Sequence, residues 1–359
     1  MKNALNLKYV LKLIVILLIN FTNNLYSQNI NSTVDSLLLE QFPPNGPGAT
    51  FLIAKDGNII YSKSFGLSNL ELNTKMITEN VFEIGSMTKQ FTAVSILMLV
   101  EQGKISLTDE ITKFIPDYPI NGQKITVHHL LNHTSGIKSY TSIKKLYSID
   151  RNDLTLLELI DFFKNESMDF NPGEKYKYNN SGYILLGYII EKISGLSYED
   201  FISKNIYEKL NMKNSSYANH RKIIKNRASG YHKKETYQNS RYISYSLSHA
   251  AGVLMSTVGD LNIWQQALIT NKLLKKETLQ KAFTNYTLNS GEKINYGYGW
   301  KIKTLENEPS YEHSGFIFGF KSMGVYLPKS NVYVVGLSNC DCNSPTKITR
   351  ELAKLASRL

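Results

Sequence analysis

Residues 83–91 read EIGSMTKQF and open a run to Gly103 in which Phe91, Val94, Ile96, Leu97, Met98 and Val100 follow at close spacing. That spacing predicts a helix from Ser86 to Gln102, apolar on most sides and therefore buried, with Gly103 as its C-terminal cap. Ser86 stands at its start and Lys89 one turn on, on the same side. Ser86 either caps the helix or reacts together with Lys89. A cation in a first turn opposes the positive end of the helix dipole, so a purely structural design would place an acid there. Burial makes the misplaced charge costlier still. Burial and positive potential also lower a lysine's pKa, which turns Lys89 into a proton acceptor near neutral pH. A serine is inert until such a base removes its proton. The pattern S-x-x-K alone is weak, since it recurs at Ser135, Ser142, Ser290 and Ser344; context has to single out Ser86.

Working outward, STVDSLLLEQF (32–42) has the helical spacing of Val34, Leu37, Leu38 and Phe42. ATFLIA and NIIYSKSF flank Asp56 and Gly57, a turn signal for a β-hairpin. Residues 105–290 read mainly as helices and loops, with helical stretches at 125–133, 154–165, 181–194 and 258–269. Strand signals return beyond about residue 290 in YGYGWKIKT, FKSMGVYLP and VYVVGLSN, and PTKITRELAKLASRL reads as a final helix. Strands at both ends with helices between them imply an α+β fold: one antiparallel sheet built from both termini, flanked by helices, with a mostly helical inserted region. The sheet region is expected over about 28–85 and 290–359 and the helical region over about 86–289. No repeat or Pro/Gly-rich linker splits the chain, which reads as a single domain over 28–359.

The 359 residues and 42% hydrophobic content suit a globular protein with a sizeable core. Residues 1–27 differ. Lys2, Lys8 and Lys12 precede or interrupt an apolar run, LIVILLI at 13–19, followed by a polar stretch and LYS at 25–27. This is the layout of a secretory signal peptide, cleaved after Ser27, and it points to the periplasm or secretion; an uncleaved N-terminal anchor is the alternative. Its loss removes three lysines and no acid, so the net charge falls from +11 to +8. The basic residues are scattered and not interleaved with aromatics, which argues against a nucleic-acid partner and leaves a cell-wall or membrane surface open. A bond between Cys340 and Cys342 would close almost no loop and stabilise little, and no four-ligand zinc set is present; both cysteines read as non-functional. The pattern sets no oligomeric state.

The chain holds no G-x-S-x-G elbow, no phosphate loop of the G-x-x-x-x-G-K-[ST] type and no G-x-G-x-x-G turn, so three common enzyme classes lose weight. His129 and His133 fall four apart on an expected helix, but no third ligand accompanies them and they read as packed histidines. Two further clusters support a reactive Ser86. In YKYNNSGYILLGYII (176–190), Tyr178 near a lysine ammonium would have its pKa pulled down and could shuttle a proton, while the Asn180 amide could hold a substrate carbonyl or the lysine. In YEHSGFIFGFKS (311–322), between strand-like segments, Gly315 would let a substrate backbone approach a strand edge, with His313 and Ser314 beside it.

Taken together, Ser86-Met87-Thr88-Lys89, Tyr178-Asn179-Asn180 and His313-Ser314-Gly315, with HHLLNHTSG (128–136), PGEKYKYNNSGY (172–183) and AAGVLMSTVGDL (250–261), resemble the serine β-lactamase and penicillin-binding-protein superfamily. The resemblance covers about residues 30–359. It is to the class C-like branch, with its D-alanyl-D-alanine carboxypeptidase, D-aminopeptidase and esterase relatives. It implies an acyl-enzyme at Ser86, Lys89 as activating partner and Tyr178 as general base and later acid. Asn180 would orient substrate, and the backbone N–H groups of Ser86 and Phe316 would form the oxyanion hole. No metal or cofactor is implied. Class C β-lactamases carry Lys-Thr-Gly where this chain has His313-Ser314-Gly315, and a histidine near pH 7 is only partly charged. The expected activity is therefore hydrolysis of D-amino-acid amides, peptidoglycan-type peptides or small esters. A class C-like β-lactamase and a non-catalytic penicillin-recognising or cell-wall-binding module are the alternatives.

Overall fold

The computed structural model describes residues 31–359. The expected signal peptide and its cleavage point lie outside them. Among the described residues, no helix is long and apolar enough to cross a membrane.

The sequence's two ends meet in one six-stranded antiparallel sheet. Its strands are β1 (Ala49–Lys55), β2 (Asn58–Phe65), β3 (Lys301–Leu305), β4 (Glu308–Ile317), β5 (Phe320–Leu327) and β6 (Val332–Ser338), in the order β3-β4-β5-β6-β1-β2. Asp56 and Gly57 both take positive φ between β1 and β2, as the hairpin reading requires. β1 and β6 pair along their whole length, Ala49 opposite Ser338 and Lys55 opposite Val332. Both are covered on two faces, which is why they read as continuous apolar runs and not as alternation.

The sheet divides two cores. On one face Phe51, Ile53, Val325 and Val334 pack against Val34 and Leu38 of α1 (31–41), Phe42 just past its end, and Leu352 of the C-terminal helix. On the other, Leu52, Ala54, Val335 and Leu337 face the large helical core. Its centre is α2 (Thr88–Glu101), in which every residue from Thr88 to Leu99 is buried. Threonine, valine, isoleucine and phenylalanine are indifferent helix formers, so packing holds this helix. Phe91, for instance, stacks on Trp264 at 4.1 Å between ring centroids, and truncating such a ring costs about 3–5 kcal/mol. Gly103, at φ +69, ends the helix in a Schellman turn, with Gly103 N–H donating to Val100 O and Lys104 N–H to Leu99 O.

The inserted region is less purely helical than its pattern suggests. It contributes Leu254–Ser256 and Ser216–Tyr217 to a small sheet with Phe82–Glu83, and holds a short hairpin of Tyr231–Lys233 with Tyr237–Asn239. Segment 311–322 also differs from its reading: His313, Ser314 and Gly315 lie inside β4, a ten-residue strand. Cys340 and Cys342 are bonded to each other.

Candidate active site

Ser86 lies in a single 3₁₀ turn, Gly85–Met87, immediately before α2. It does not cap: neither the turn nor α2 has a side-chain cap. Two glycines set where the turn sits. Gly85 has φ +51, and a Cβ there would lie 2.8 Å from the backbone N of Phe316. A Cβ on Gly315 would lie 2.0 Å from Ile84 O and 2.2 Å from Ser322 Oγ. The turn is thus pressed backbone to backbone against β4, and Ser322 Oγ donates to Ile84 O at 2.8 Å to hold it there. This corrects the reading of Gly315: the space it frees is filled by the protein's own turn and not by a substrate.

Lys89 is fully buried in the first turn of α2, with no acid beside it. Its Nζ lies 3.1 Å from Ser86 Oγ, 2.8 Å from Asn180 Oδ1 and 2.7 Å from Ala251 O. Burial pushes its pKa well below the ordinary lysine value. Asn180 Oδ1 and Ala251 O can only accept. In its uncharged form the amine gives its two N–H bonds to them and turns its lone pair to the Ser86 hydroxyl. The Ala251 carbonyl, which the sequence reading missed, is held by α2 itself: Thr92 Oγ1 donates to Ala250 O at 2.6 Å, and Leu254 N–H donates to Thr88 Oγ1 at 3.1 Å.

Tyr178 and Asn180 are placed by one cap. Asn179 is the N-cap of α3 (Asn180–Ser194), its side chain accepting from Gly182 N–H at 2.8 Å and donating to Ile137 O. Tyr178 falls just outside the helix and Asn180 just inside. The Asn180 amide is spent on the protein, Oδ1 toward Lys89 and Nδ2 donating to Thr141 Oγ1 at 3.1 Å. Lys89 Nζ is 4.9 Å from the Tyr178 ring centroid and 5.3 Å from that of Tyr183. Here a second expectation is corrected. Burial raises the Tyr178 pKa far above that of a free phenol, against a small opposing pull from Ser86. Its hydroxyl makes no fully formed hydrogen bond among the described residues. Tyr178 is a neutral phenol beside Ser86.

His313 also differs from its reading. It is 1% exposed, its Nδ1 lies 2.7 Å from Ser314 O, and its Nε2 lies 3.0 Å from Tyr296 OH. The carbonyl fixes the tautomer, with Nδ1–H donating and Nε2 accepting from Tyr296. Burial first, then the charges of Lys89 and Lys301, lower its pKa to about 3. It is neutral near pH 7 and its ring nitrogens are occupied. His133 lies past the end of its helix (Val127–Leu131), with φ +64. Its Nδ1 accepts from Asn179 N–H at 3.1 Å and its ring lies 4.4 Å from that of Tyr178. It packs beneath the tyrosine, and no metal-holding group of His, Cys, Asp or Glu exists among the described residues.

Two cavities open at Ser86. One, of about 380 Å³, has walls of Tyr140, Leu146, Leu247, Phe316 and Phe318. The other, of about 420 Å³, is lined by Tyr178, Lys301, Ser314, Phe316 and Lys321. The strand edge beside them is free, because β3 pairs with β4 only from Glu308 to Glu312. From His313 onward β4 has a partner on the β5 side alone. Backbone donors of the Ser86 turn and of Phe316 are thereby brought side by side.

A family model described as Beta-lactamase matches residues 38–357. The chain is 33% identical over 310 residues to penicillin-binding protein 4* of Bacillus subtilis (strain 168), covering 81% of this chain and 67% of that one. It spans about two thirds of the length of the curated relatives it matches. Among solved structures, the octameric penicillin-binding protein homologue from Pyrococcus abyssi superposes with a TM-score of 0.79 at 32% identity, over 90% of this chain and 76% of that one. A D-amino acid amidase from Ochrobactrum anthropi SV3 superposes with a TM-score of 0.75 at 25% identity, over 92% and 99%. The fold is that of the serine hydrolases of the β-lactamase and penicillin-binding-protein type. The chain belongs to the Beta-lactamase family.

Proposed function

We propose that this chain is an exported serine hydrolase that forms an acyl-enzyme at Ser86 and acts on D-amino-acid amides, peptidoglycan-type peptides or small esters. The observation that carries the reading is the Lys89 amine, buried without a carboxylate and held by two obligate acceptors so that its free position meets Ser86 Oγ. Export rests on the charged and apolar pattern of residues 1–27. The substrate class rests on likeness to a penicillin-binding protein and a D-amino acid amidase.

In acylation the Ser86 proton passes to Lys89 as Oγ bonds to the substrate carbonyl carbon. The oxyanion is met by the N–H groups of Ser86 and Phe316. The bond to the leaving group breaks as the Tyr178 phenol gives it a proton, and the Lys89 ammonium restores the phenol. Water then attacks the ester, with the same groups exchanging protons in reverse. Of the two residues between which the sequence leaves the base open, burial favours Lys89 for that role and Tyr178 for the acid, because it lowers the pKa of the first and raises that of the second.

The test is turnover of nitrocefin, D-alanyl-D-alanine peptides, D-amino-acid amides and p-nitrophenyl esters, with Ser86→Ala as control. Repeated turnover that vanishes in the variant supports the reading. Labelling of one equivalent without product release would leave a binding module, and turnover that survives Ser86→Ala would remove the mechanism.

A further inference from the structure

His249 opens the single helical turn His249–Gly252 with φ +28, a region that a residue bearing a side chain enters only when its surroundings hold it there. The hold comes from α3. His249 Nε2 lies 3.4 Å from Glu191 Oε1, and the same oxygen accepts from Tyr198 N–H at 2.8 Å. Burial alone would raise the Glu191 pKa; His249 and the Tyr198 N–H outweigh it and hold the carboxyl below its usual value, so it meets the imidazole as an anion. Gly187, one turn earlier on α3, leaves room for the ring: a Cβ there would lie 2.8 Å from His249 Nδ1 and 2.7 Å from Ala250 Cβ. A glycine inside a helix is destabilising relative to alanine, and here it answers to the close approach of the His249 segment. The imidazole also packs on Tyr198, at 5.1 Å between ring centroids.

What this clamp holds lies two residues on. Ala251 O is the acceptor 2.7 Å from Lys89 Nζ. Thr88 and Thr92 tie its segment to α2, the helix that carries Lys89 itself. His249 ties the segment to α3, the helix whose first residue, Asn180, supplies the amine's other acceptor at 2.8 Å. Both acceptors are thereby referred to one rigid element, Asn180 directly and Ala251 through Glu191 and His249, about three turns further along it. With both N–H bonds of the uncharged amine fixed in direction, its lone pair is left to the Ser86 hydroxyl. A shift of Ala251 O would turn the amine away. Neither His249 nor Glu191 lines either cavity at Ser86, so their effect on the reaction has to pass through Lys89.

We infer that His249, braced by Glu191, is a positioning residue: it fixes the Ala251 carbonyl against Lys89 and so aims the amine at Ser86. The inference rests on the reading of Lys89 as the base. It gives the unusual backbone of His249 a use, and it separates the groups that hold the amine from those that meet the substrate.

The test is the rate at which p-nitrophenyl acetate acylates Ser86, measured across ester concentrations beside thermal unfolding. The chains are the parent, His249→Asn, Glu191→Gln, Lys89→Met, the pairing of His249→Asn with Lys89→Met, and Ser86→Ala. Asparagine tolerates positive φ but is too short to replace Nε2 at Glu191. Glutamine keeps an acceptor for Tyr198 N–H and loses the charge. The maximal acylation rate of His249→Asn should fall about 10- to 100-fold, the scale of a misplaced reacting group, at an unchanged half-saturating ester concentration. Glu191→Gln should move it the same way by less. With Lys89→Met already in place, His249→Asn should cost less than about twofold, because no amine is left to aim. A His249→Asn rate within about twofold of the parent overturns the inference. So does an equal fractional loss with and without Lys89, which would make the residue a support of the fold. A raised half-saturating concentration at an unchanged maximal rate overturns it too, since the residue would then shape the cavity. Where His249→Asn does not fold, Glu191→Gln decides alone: a lowered maximal rate at an unchanged thermal midpoint upholds the inference, and a parent rate overturns it. Acylation that Lys89→Met leaves intact removes the base assignment on which the inference stands, and acylation that Ser86→Ala leaves intact removes the proposed function itself.

Discussion

Replacing Lys89 with methionine keeps an unbranched apolar chain, one atom shorter and with sulfur in place of a methylene, and removes the amine. Three contacts go with it: Ser86 Oγ at 3.1 Å, Asn180 Oδ1 at 2.8 Å and Ala251 O at 2.7 Å. For the reaction, the loss is that of a positioned general base, about 10²–10⁴-fold, or roughly 3–5 kcal/mol on the acylation barrier. For the fold, the Ala251 carbonyl loses its partner in a buried setting, which costs about 1–3 kcal/mol. Asn180 keeps its bond to Thr141. Against this, the variant no longer strips a lysine of water, the same desolvation that lowers its pKa. Stability should therefore change by less than the acylation barrier does. The assay is the rate at which an activated ester labels Ser86, followed from pH 6 to pH 10, beside thermal unfolding. In the parent chain the rate rises with pH as the Lys89 ammonium gives up its proton, with a midpoint below the ordinary lysine value of 10.5. Lys89→Met should lose both the rate and the rise. Labelling within about tenfold of the parent, or an unchanged pH profile, would refute the assignment of Lys89 as base.

Three further outcomes follow from the same geometry. Tyr178→Phe removes the acid but not the base, so hydrolysis of an amide, whose leaving group needs a proton, should fall at least about tenfold more than that of a p-nitrophenyl ester, which needs none; parallel losses on both would count against that role. Gly315→Ala drives a Cβ into Ile84 O and Ser322 Oγ, and should lower stability by about 1–3 kcal/mol while slowing acylation; a raised KM with unchanged unfolding would restore the view that the glycine makes room for substrate. His313 has a folded pKa of about 3 against an ordinary 6.5, so between those values the unfolded chain holds the extra proton and stability falls as pH drops across that window. His313→Asn should flatten this acid slope, and an identical slope in the variant would place the proton elsewhere.

The features legible in the sequence are those whose partners are close in the chain or whose faces are simple. The β1–β2 turn announces itself through Asp56 and Gly57, and α2 through its apolar run closed by Gly103. β4 does not, because EPSYEHSGFI mixes Glu308, Glu312 and His313 into a strand whose polar groups find partners far away. Glu308 accepts from the backbone N–H groups of Lys329 and Ser330, and Glu312 is held by Arg350 and Lys303. Once those partners are known the strand is ordinary; without them its polar residues look like a turn. The Ala251 carbonyl was hidden for a different reason, since a backbone acceptor has no side chain to mark it. Its segment, AAGVLM, is only an apolar stretch until Thr88 and Thr92 tie it to α2.

Burial decides the proton chemistry, and it is the quantity that spacing alone conveys least. Ser86, Lys89 and Tyr178 can be picked out by pattern, and the apolar run around Lys89 already implies a lowered lysine pKa; for Tyr178, though, pattern alone suggested a phenol drawn down by a nearby lysine. The packed core reverses this. Desolvation lowers Lys89 and raises Tyr178, so each moves toward its uncharged form. An uncharged amine can accept a proton and an uncharged phenol can supply one, which makes the two complementary. The same desolvation silences His313. Positive charge at the cavity then falls to residues that remain half exposed, Lys301 and Lys321. Depth thus sorts the site: the groups proposed to move protons, Lys89 and Tyr178, lie out of reach of water, and the lysines beside them lie part-way to the surface.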